Sequence, residues 1–410
     1  MNILLIGGFL PYTFSENLCN GKLVYALQEA GIHVDVISRK DEGATYDKSW
    51  KEPWLSLRTN THEIQYQIGN KIDRGLDTVI SSFQMEVLPI EGIRWARRAY
   101  QKAIELHKEK RYDAILTRSP NEISHIVGYK FSKKTGVKWI ANWNDPADSI
   151  WPMPYTHHFT YWKGKQVKAF TEKCLKYADI TTFPSHSLLD HFLKYFPFLK
   201  EQRTEVIPHI GLSNTLIPKP NVTTYKSDKF RMCHSGNLSQ ERNPELLFKA
   251  IRELIDEGYT NVQLDIMGHV NGYTQALIEK YSLNGYIQFI GSYPYMEALQ
   301  KMSAYDILVL VEAIMEKGIF FPSKFTDYAQ LGKPILAVSP AEGFAHNMLA
   351  QHGGGIAVDN ENCQSIKQGI QTLHQLWVNN SLRQKYNSQK LFANFSPQRV
   401  VSLYQTLLRC

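Results

Sequence analysis

Cysteine is scarce and unpaired in this chain of 410 residues: Cys19, Cys174, Cys233, Cys363 and Cys410 lie far apart and are odd in number. That argues against a disulfide framework and for a reducing cytoplasm. No stretch approaches the run of roughly 18 apolar residues that a membrane span needs. The opening Met1-Asn-Ile-Leu-Leu-Ile-Gly-Gly8 lacks the basic start of a signal peptide and reads as a first strand. A nicotinamide oxidoreductase is poorly supported, because Gly7-Gly-Phe-Leu-Pro-Tyr12 stands where a G-x-G-x-x-G fingerprint would be. Internal repeats, low-complexity tracts and an Asp-x-Asp metal motif are also missing from the sequence.

What is present is ordinary for a globular enzyme, with 43% hydrophobic and 21% charged residues. The length suits two domains of roughly 200 residues each. The net charge of +7 sits mostly in the first half. It gives weak support there to an anionic partner or membrane surface and none to nucleic acid.

Apolar runs alternate with helical patterns along both halves, which predicts an α/β protein of two Rossmann-like, doubly wound domains. We expect an N-terminal domain over 1–210, a linker over 211–225 rich in Pro and Gly (Gly211, Pro218, Pro220), and a second domain over 226–390. A C-terminal helix over 391–410 is expected to return to the first domain. Residues 40 to 92, with Trp50, Pro53 and Trp54 in polar surroundings, show no regular pattern. Ile93 to Lys110 reads as a helix with Arg94, Arg98 and Lys102 along one face. Such a face either contacts anionic lipid or is simply solvated.

The stretch Gly318-Ile-Phe-Phe-Pro-Ser-Lys-Phe-Thr-Asp327 and onward to Pro340 anchors the functional reading. Ser323 is the expected N-cap of a helix over 324–331, with Gly332 and Pro334 stopping it before a strand. Lys324 and Asp327 then share a face. A helix N-terminus attracts phosphate through its N–H groups, and a first-turn lysine adds a full charge. Lys324 on phosphate and Asp327 on ribose hydroxyls would make a nucleotide diphosphate site; the bland alternative is a solvated lysine on a capped helix. Strand ends at Gly236-Asn237, Gly268, Gly291-Ser292 and Pro322-Ser323 gather further N–H donors, and Arg242 supplies a second cation.

In the first half, Gly8 allows close backbone approach by a ligand, and Arg118 and Asp145 end predicted strands, where ligands bind in open α/β sheets. Asp145-Pro146 is also a common turn starter. Trp151, Tyr155, Phe159 and Tyr161 form a dense set of rings suited to sugar or lipid contact. The adjacent His157 and His158 lack acidic or cysteine partners in the sequence and do not read as a metal site.

These motifs together resemble the group 1 glycosyltransferases, also called glycosyltransferase family 4, of the GT-B fold. The resemblance rests on His234-Ser-Gly-Asn-Leu-x-x-x-Arg-Asn-Pro-Glu245, Ile287-Gln-Phe-Ile-Gly-Ser292, Ala304-Tyr-Asp-Ile-Leu-Val-Leu310 and Phe321-Pro-Ser-Lys-x-x-Asp-Tyr-x-x-x-Gly-Lys-Pro-Ile-Leu336. Lys138-Trp-Ile-Ala-Asn-Trp-Asn-Asp-Pro146 is similar to a bacterial branch. The resemblance implies two domains facing a cleft. Transfer would proceed with retention and without metal or other cofactor, from a UDP- or GDP-type sugar to a glycan or lipid-linked acceptor, in surface polysaccharide synthesis.

Arg242 and Lys324 would then serve catalysis by holding the diphosphate, with Asp327 on ribose and Gly291-Ser292 at the base. Gly8, Gly236, Asn237 and Ser323 complete the donor set. Asp145 would orient the transferred sugar and, with Arg118 and Trp151, meet the acceptor. The chain departs from better-known members at two places: an acid expected at 319 is Ile319, leaving only Asp327, and a usual histidine after Trp143 is replaced by Asn144-Asp145. A nucleotide-sugar 2-epimerase of the same fold and a non-catalytic sugar-nucleotide-binding protein are the rival readings.

Overall fold

A computed structural model describes residues 1–9, 14–40, 55–66, 71–120, 122–217 and 228–409. Trp50, Pro53, Trp54, Pro218, Pro220 and Cys410 lie outside the described residues. Two compact units divide the chain. The first comprises Met1–Trp151, Thr156–Ile210 and Pro397–Cys410; the second comprises Pro152–Tyr155 and Gly211–Ser396.

The first unit is built on seven parallel strands: β1 (Asn2–Ile6), β2 (His33–Lys40), β3 (Thr61–Gln65), β4 (Ala114–Arg118), β5 (Lys138–Asn142), β6 (Ile180–Phe183) and β7 (Thr204–Val206). Their order is β3-β2-β1-β4-β5-β6-β7. The central strands Ile-Leu-Leu-Ile and Ala-Ile-Leu-Thr are apolar without alternation because helices cover both faces, and Leu4, Leu5, Ile6 and Ile115 have no exposed surface. Edge strand β3, Thr-His-Glu-Ile-Gln, is half-buried throughout. Helix Pro397–Arg409 packs in this unit against helix Ser15–Glu29, burying Val400, Val401, Tyr404 and Leu407.

The second unit repeats the plan with six parallel strands: β8 (Phe230–Ser235), β9 (Val262–Met267), β10 (Ile287–Phe289), β11 (Ile307–Val311), β12 (Ile335–Ser339) and β13 (Gly355–Asp359). They are ordered β10-β9-β8-β11-β12-β13. One apolar core joins Phe230, Phe248, Ile251, Leu264, Val309 and Ile370 across sheet and helices. Each fully buried aliphatic of this kind is worth about 1.5–3 kcal/mol before entropy is counted. In both sheets the chain winds outward one way through three strands and then reverses. The crevices at the strand ends therefore fall between β1 and β4 and between β8 and β11.

Three expectations change. The segment read as irregular contains a short 3-10 helix Leu55–Asn60, strand β3 and helix Lys71–Met85; β3 is polar, and the helix turns its apolar stripe Leu76, Val79, Ile80 and Phe83 toward solvent. The basic face of helix Ile93–Lys110 is neither solvated nor lipid-facing at its first turns. Arg94 and Arg97 each bond Asp77 at 2.5 Å, and Arg98 donates to the carbonyls of Gln65 and Tyr66. Burial alone would raise the Asp77 carboxyl, but the arginines hold it below its usual range. Lastly, Ser323 is not an N-cap: helix Ser323–Gln330 starts on it, Pro322 takes the cap position, and no side chain caps the helix.

Candidate functional site

The β8/β11 crevice in the second unit is shaped by where helix Ser323–Gln330 is pinned. Buried Tyr328 accepts a hydrogen bond from the Ser235 amide at 2.9 Å and donates to the Val309 carbonyl at 3.4 Å, so one ring ties the helix to both strands of the crevice. Phe321, Phe325, Phe344 and Phe395 cluster around its start, with Phe321 and Phe344 stacked at 3.9 Å. Without a capping side chain, the Ser323 and Lys324 amides remain available to an anion, while the Phe325 amide donates to the Pro322 carbonyl at 2.9 Å.

Lys324 projects from that first turn, and its Nζ donates to the Ser235 carbonyl at 2.5 Å. Gly236 follows with φ of 122°. A Cβ there would collide with the Lys324 ammonium. The conformation requires the glycine, and any side chain there would also displace the lysine tip. A Cβ on Gly268 would strike the Gly236 carbonyl, and Asn237 Oδ1 accepts from the His269 amide at 3.0 Å, so the β8 and β9 ends form one rim.

Burial pushes the Lys324 ammonium down to about 7, and the neighbouring Arg242 guanidinium adds to the shift. Asp327 and Glu312 pull the other way. Asp327 is buried and accepts from the Tyr295 hydroxyl at 2.8 Å. Tyr295 belongs to the segment that leaves β10 through Gly291 and Ser292, both exposed. The structure thus brings Gly236, Asn237, Arg242, Lys324 and Asp327 together and reaches the Gly291–Ser292 turn through Tyr295.

Glu312 was not anticipated. It directly follows β11 at the crevice, is 8% exposed, and its Oε2 is buried without a hydrogen-bond partner. Burial pushes its carboxyl up to about 8, against the pull of Arg242 and Lys324. An acid at the end of an apolar strand was the signal in the sequence. His234, near the end of β8, is neutral: burial and then Lys324 hold it well below its usual range, and its Nδ1 lies 3.0 Å from the Val309 carbonyl.

At the β1/β4 crevice of the first unit, a Cβ on Gly8 would collide with Asn17, because helix Ser15–Glu29 starts directly over the β1 end. Asn20 donates to the Gly8 carbonyl at 2.6 Å. Arg118 is buried, and its guanidinium is held by Asn20, by the Tyr404 hydroxyl at 2.9 Å and by Asn144 at 3.4 Å. Beside it, burial raises the Glu16 carboxyl well above its usual range, with Arg118 opposing and Asp145 reinforcing. Asp145 is half-buried. Trp151 stacks on His157 at 5.4 Å.

A cavity of about 990 Å³ opens in this unit next to Gly8. Acids and rings line it together, among them Glu16, Glu122, Asp148, Trp95, Phe159 and Trp162. Asp148 comes from the same loop as Asp145 and Trp151. Burial raises the Glu122 carboxyl well above its usual range, and partial desolvation at the cavity rim raises that of the more exposed Asp148. Carboxyls that hydrogen-bond hydroxyls, set beside flat apolar rings, suit a sugar.

Two parallel-sheet Rossmann-like domains of seven and six strands define the GT-B class of glycosyltransferase folds. The family Glycosyltransferase Family 4 matches residues 21–210, and the family Glycosyl transferases group 1 matches residues 219–391. The chain belongs to the group 1 glycosyltransferases.

Solved structures agree on the fold. Sucrose-phosphate synthase from Thermosynechococcus elongatus is similar with a TM-score of 0.70 at 17% identity, over 100% of this chain and 98% of that one. HepE from Anabaena in complex with UDP-glucose gives 0.68 at 15% identity, over 100% of both chains. UDP-GlcNAc 2-epimerase from Methanocaldococcus jannaschii gives 0.57 at 12% identity, over 99% and 100%. No curated protein matches the chain.

Proposed function

We propose that this glycosyltransferase moves a sugar from a nucleoside diphosphate donor of UDP or GDP type to a glycan or lipid-linked acceptor. The observation that carries the reading is the convergence of Lys324, Arg242 and an uncapped helix N-terminus on the β8/β11 crevice. That is a cationic cradle for a diphosphate. A HepE structure holding UDP-glucose on the same fold supports the donor class.

In this reading Asp327, steadied by Tyr295, takes the ribose hydroxyls, and the Gly291–Ser292 turn receives the base. Asn237 and Ser323 offer backbone N–H groups to phosphate, and Gly236, whose own amide donates to the Met267 carbonyl at 2.8 Å, lets the backbone come close. Glu312, neutral below about pH 8, donates its proton in a hydrogen bond to the donor. The unit 1 cavity takes the acceptor, with Gly8 and Asp145 at the end where transfer occurs and Trp151 bracing their loop. Arg118 positions Asn144, the neighbour of Asp145, rather than touching the acceptor.

The bond from the anomeric carbon to the phosphate oxygen breaks as the acceptor oxygen bonds to that carbon on the same face. The acceptor's proton passes to the departing phosphate, so the configuration is retained and no protein base is obligatory. Arg242 and Lys324 compensate the charge that develops on the leaving group, the task a metal would otherwise perform. Surface polysaccharide synthesis in a bacterial cytoplasm is the setting we propose, from the likeness of residues 138–146 to a bacterial branch.

Thermal shift with UDP, GDP, ADP and CMP, with chelator present, tests the reading. Stabilisation of the wild type by one nucleoside diphosphate, lost in Lys324→Ala together with sugar transfer, is expected. Wild-type turnover in Lys324→Ala, or no stabilisation by any of the four, would overturn it. Interconversion of a nucleotide sugar without any acceptor would turn it into the epimerase reading.

A further inference from the structure

Helix Lys71–Met85 shows solvent the side that a helix normally hides. Leu76, Val79, Ile80 and Phe83 form one stripe at helical spacing, and all are exposed, Phe83 by 85%. The opposite side, with Asp77, Ser81 and Met85, is the one packed toward the arginines of helix Ile93–Lys110. A contiguous exposed apolar surface of this kind marks a docking site.

The surface continues past the helix. Lys130 and Lys133 each hold the Glu86 carboxylate at 2.8 Å. Lys173 donates to the Glu86 carbonyl, and Gln166 donates to the Pro89 carbonyl. Segment 86–89, carrying exposed Leu88, is therefore laid along helix Tyr161–Tyr177 and runs toward its N-terminus. There Tyr161 and Trp162 stand exposed, Trp162 by 78%. Lys165 Nζ lies 4.4 Å from the Tyr161 ring centre. Lys163, Lys165 and Lys168 are exposed too, and this helix carries five lysines against the single acid Glu172.

We infer that this face of the first unit is a docking surface for an anionic bilayer. The apolar stripe fits the acyl boundary, Tyr161 and Trp162 fit the headgroup level, and the lysines meet lipid phosphates. Charge decides against a protein partner: the core of a protein interface is depleted in lysine, whereas a bilayer surface rewards it. The inference does not depend on the donor chemistry, yet it bears on the acceptor. Ile90, Trp162, Lys163 and Gln166 also line the 990 Å³ cavity. A docked molecule would hold the cavity mouth at headgroup level, where a lipid-carried acceptor resides.

The test is sedimentation of the full chain with vesicles of phosphatidylcholine alone and of phosphatidylcholine mixed with phosphatidylglycerol. Binding to the mixed vesicles, weakened by salt, is expected. It should fall about tenfold or more in Val79→Ser/Phe83→Ser and in Lys165→Glu/Lys168→Glu. Nucleotide-induced thermal shift should stay at the wild-type value in both variants, which separates this inference from the donor reading. Wild-type protein that ignores both vesicle types, or variants that bind like wild type, would overturn it. So would a dimer that Val79→Ser/Phe83→Ser dissolves, since the stripe would then belong to a second copy.

Discussion

Nη1 of Arg118 lies 2.9 Å from the hydroxyl of Tyr404, two side chains 286 residues apart in sequence and packed in one unit. The last helix thereby closes over the end of β4, at the crevice where Glu16, Asn20 and Asn144 also meet Arg118. A buried guanidinium that loses a neutral partner is left under-bonded. Tyr404→Phe should therefore cost about 2 kcal/mol of stability in urea denaturation. An unchanged midpoint would mean that Asn20 and Asn144 suffice.

Gly236→Ala separates the lysine's place from its charge. The added methyl group needs the space that the Lys324 ammonium occupies, at a backbone φ of 122° that disfavours any side chain. The variant should weaken UDP or GDP binding by about 2 kcal/mol, near 30-fold in Kd, comparable to Lys324→Ala. Calorimetric titration with both nucleotides checks it. Tight binding by the variant would remove the glycine from the cradle.

How much of this was legible follows from which physics each feature obeys. Apolar strands covered on both faces are written as unbroken runs, so Ile307–Val311 and Ile335–Ser339 could be read to within a residue. Lys324 and Arg242 were found because a cation near a helix start is local chemistry. Glu312 was passed over because its meaning comes from burial beside two cations that are distant in sequence. Helix Lys71–Met85 was passed over although Leu76, Val79, Ile80 and Phe83 recur at helical spacing; what only the fold supplies is that this stripe faces solvent while Asp77 faces the arginines. The membrane-facing reading attached instead to Arg94 and Arg98, whose partners Asp77, Gln65 and Tyr66 only the fold brings near.

Glu312 should make the protein less stable as pH rises. Its folded value is about 8 against 4.5 for an ordinary glutamate. The native state thus keeps a proton that the unfolded chain has already lost. Stability is fully present below about 4.5 and is lost as pH climbs through about 8. Glu312→Gln mimics the neutral acid and should raise the melting temperature near pH 8, by the equivalent of a few kcal/mol at most, with little effect near pH 5. The glutamine can still donate to a phosphate and should bind nucleotide, whereas Glu312→Leu should not. Equal melting curves for Gln and wild type at both pH values would show that the acid is ionised and paired.

Donor binding should carry a proton with it. Lys324 is held at about 7 in the empty site by burial and by Arg242, so near pH 8 most molecules have it neutral. A diphosphate beside it favours the ammonium and draws a proton in, because an opposite charge raises an amine's pKa. Affinity for the nucleoside diphosphate should then be flat below pH 6 and fall as pH rises above 7, by up to tenfold per unit. Between pH 7 and 8 the calorimetric enthalpy should depend on the ionisation enthalpy of the buffer, with net proton uptake. Lys324→Arg keeps its charge throughout this range and should bind without that uptake. Buffer-independent enthalpies in the wild type would mean that Lys324 is already charged before the donor arrives, and that the crevice is better solvated than its burial implies.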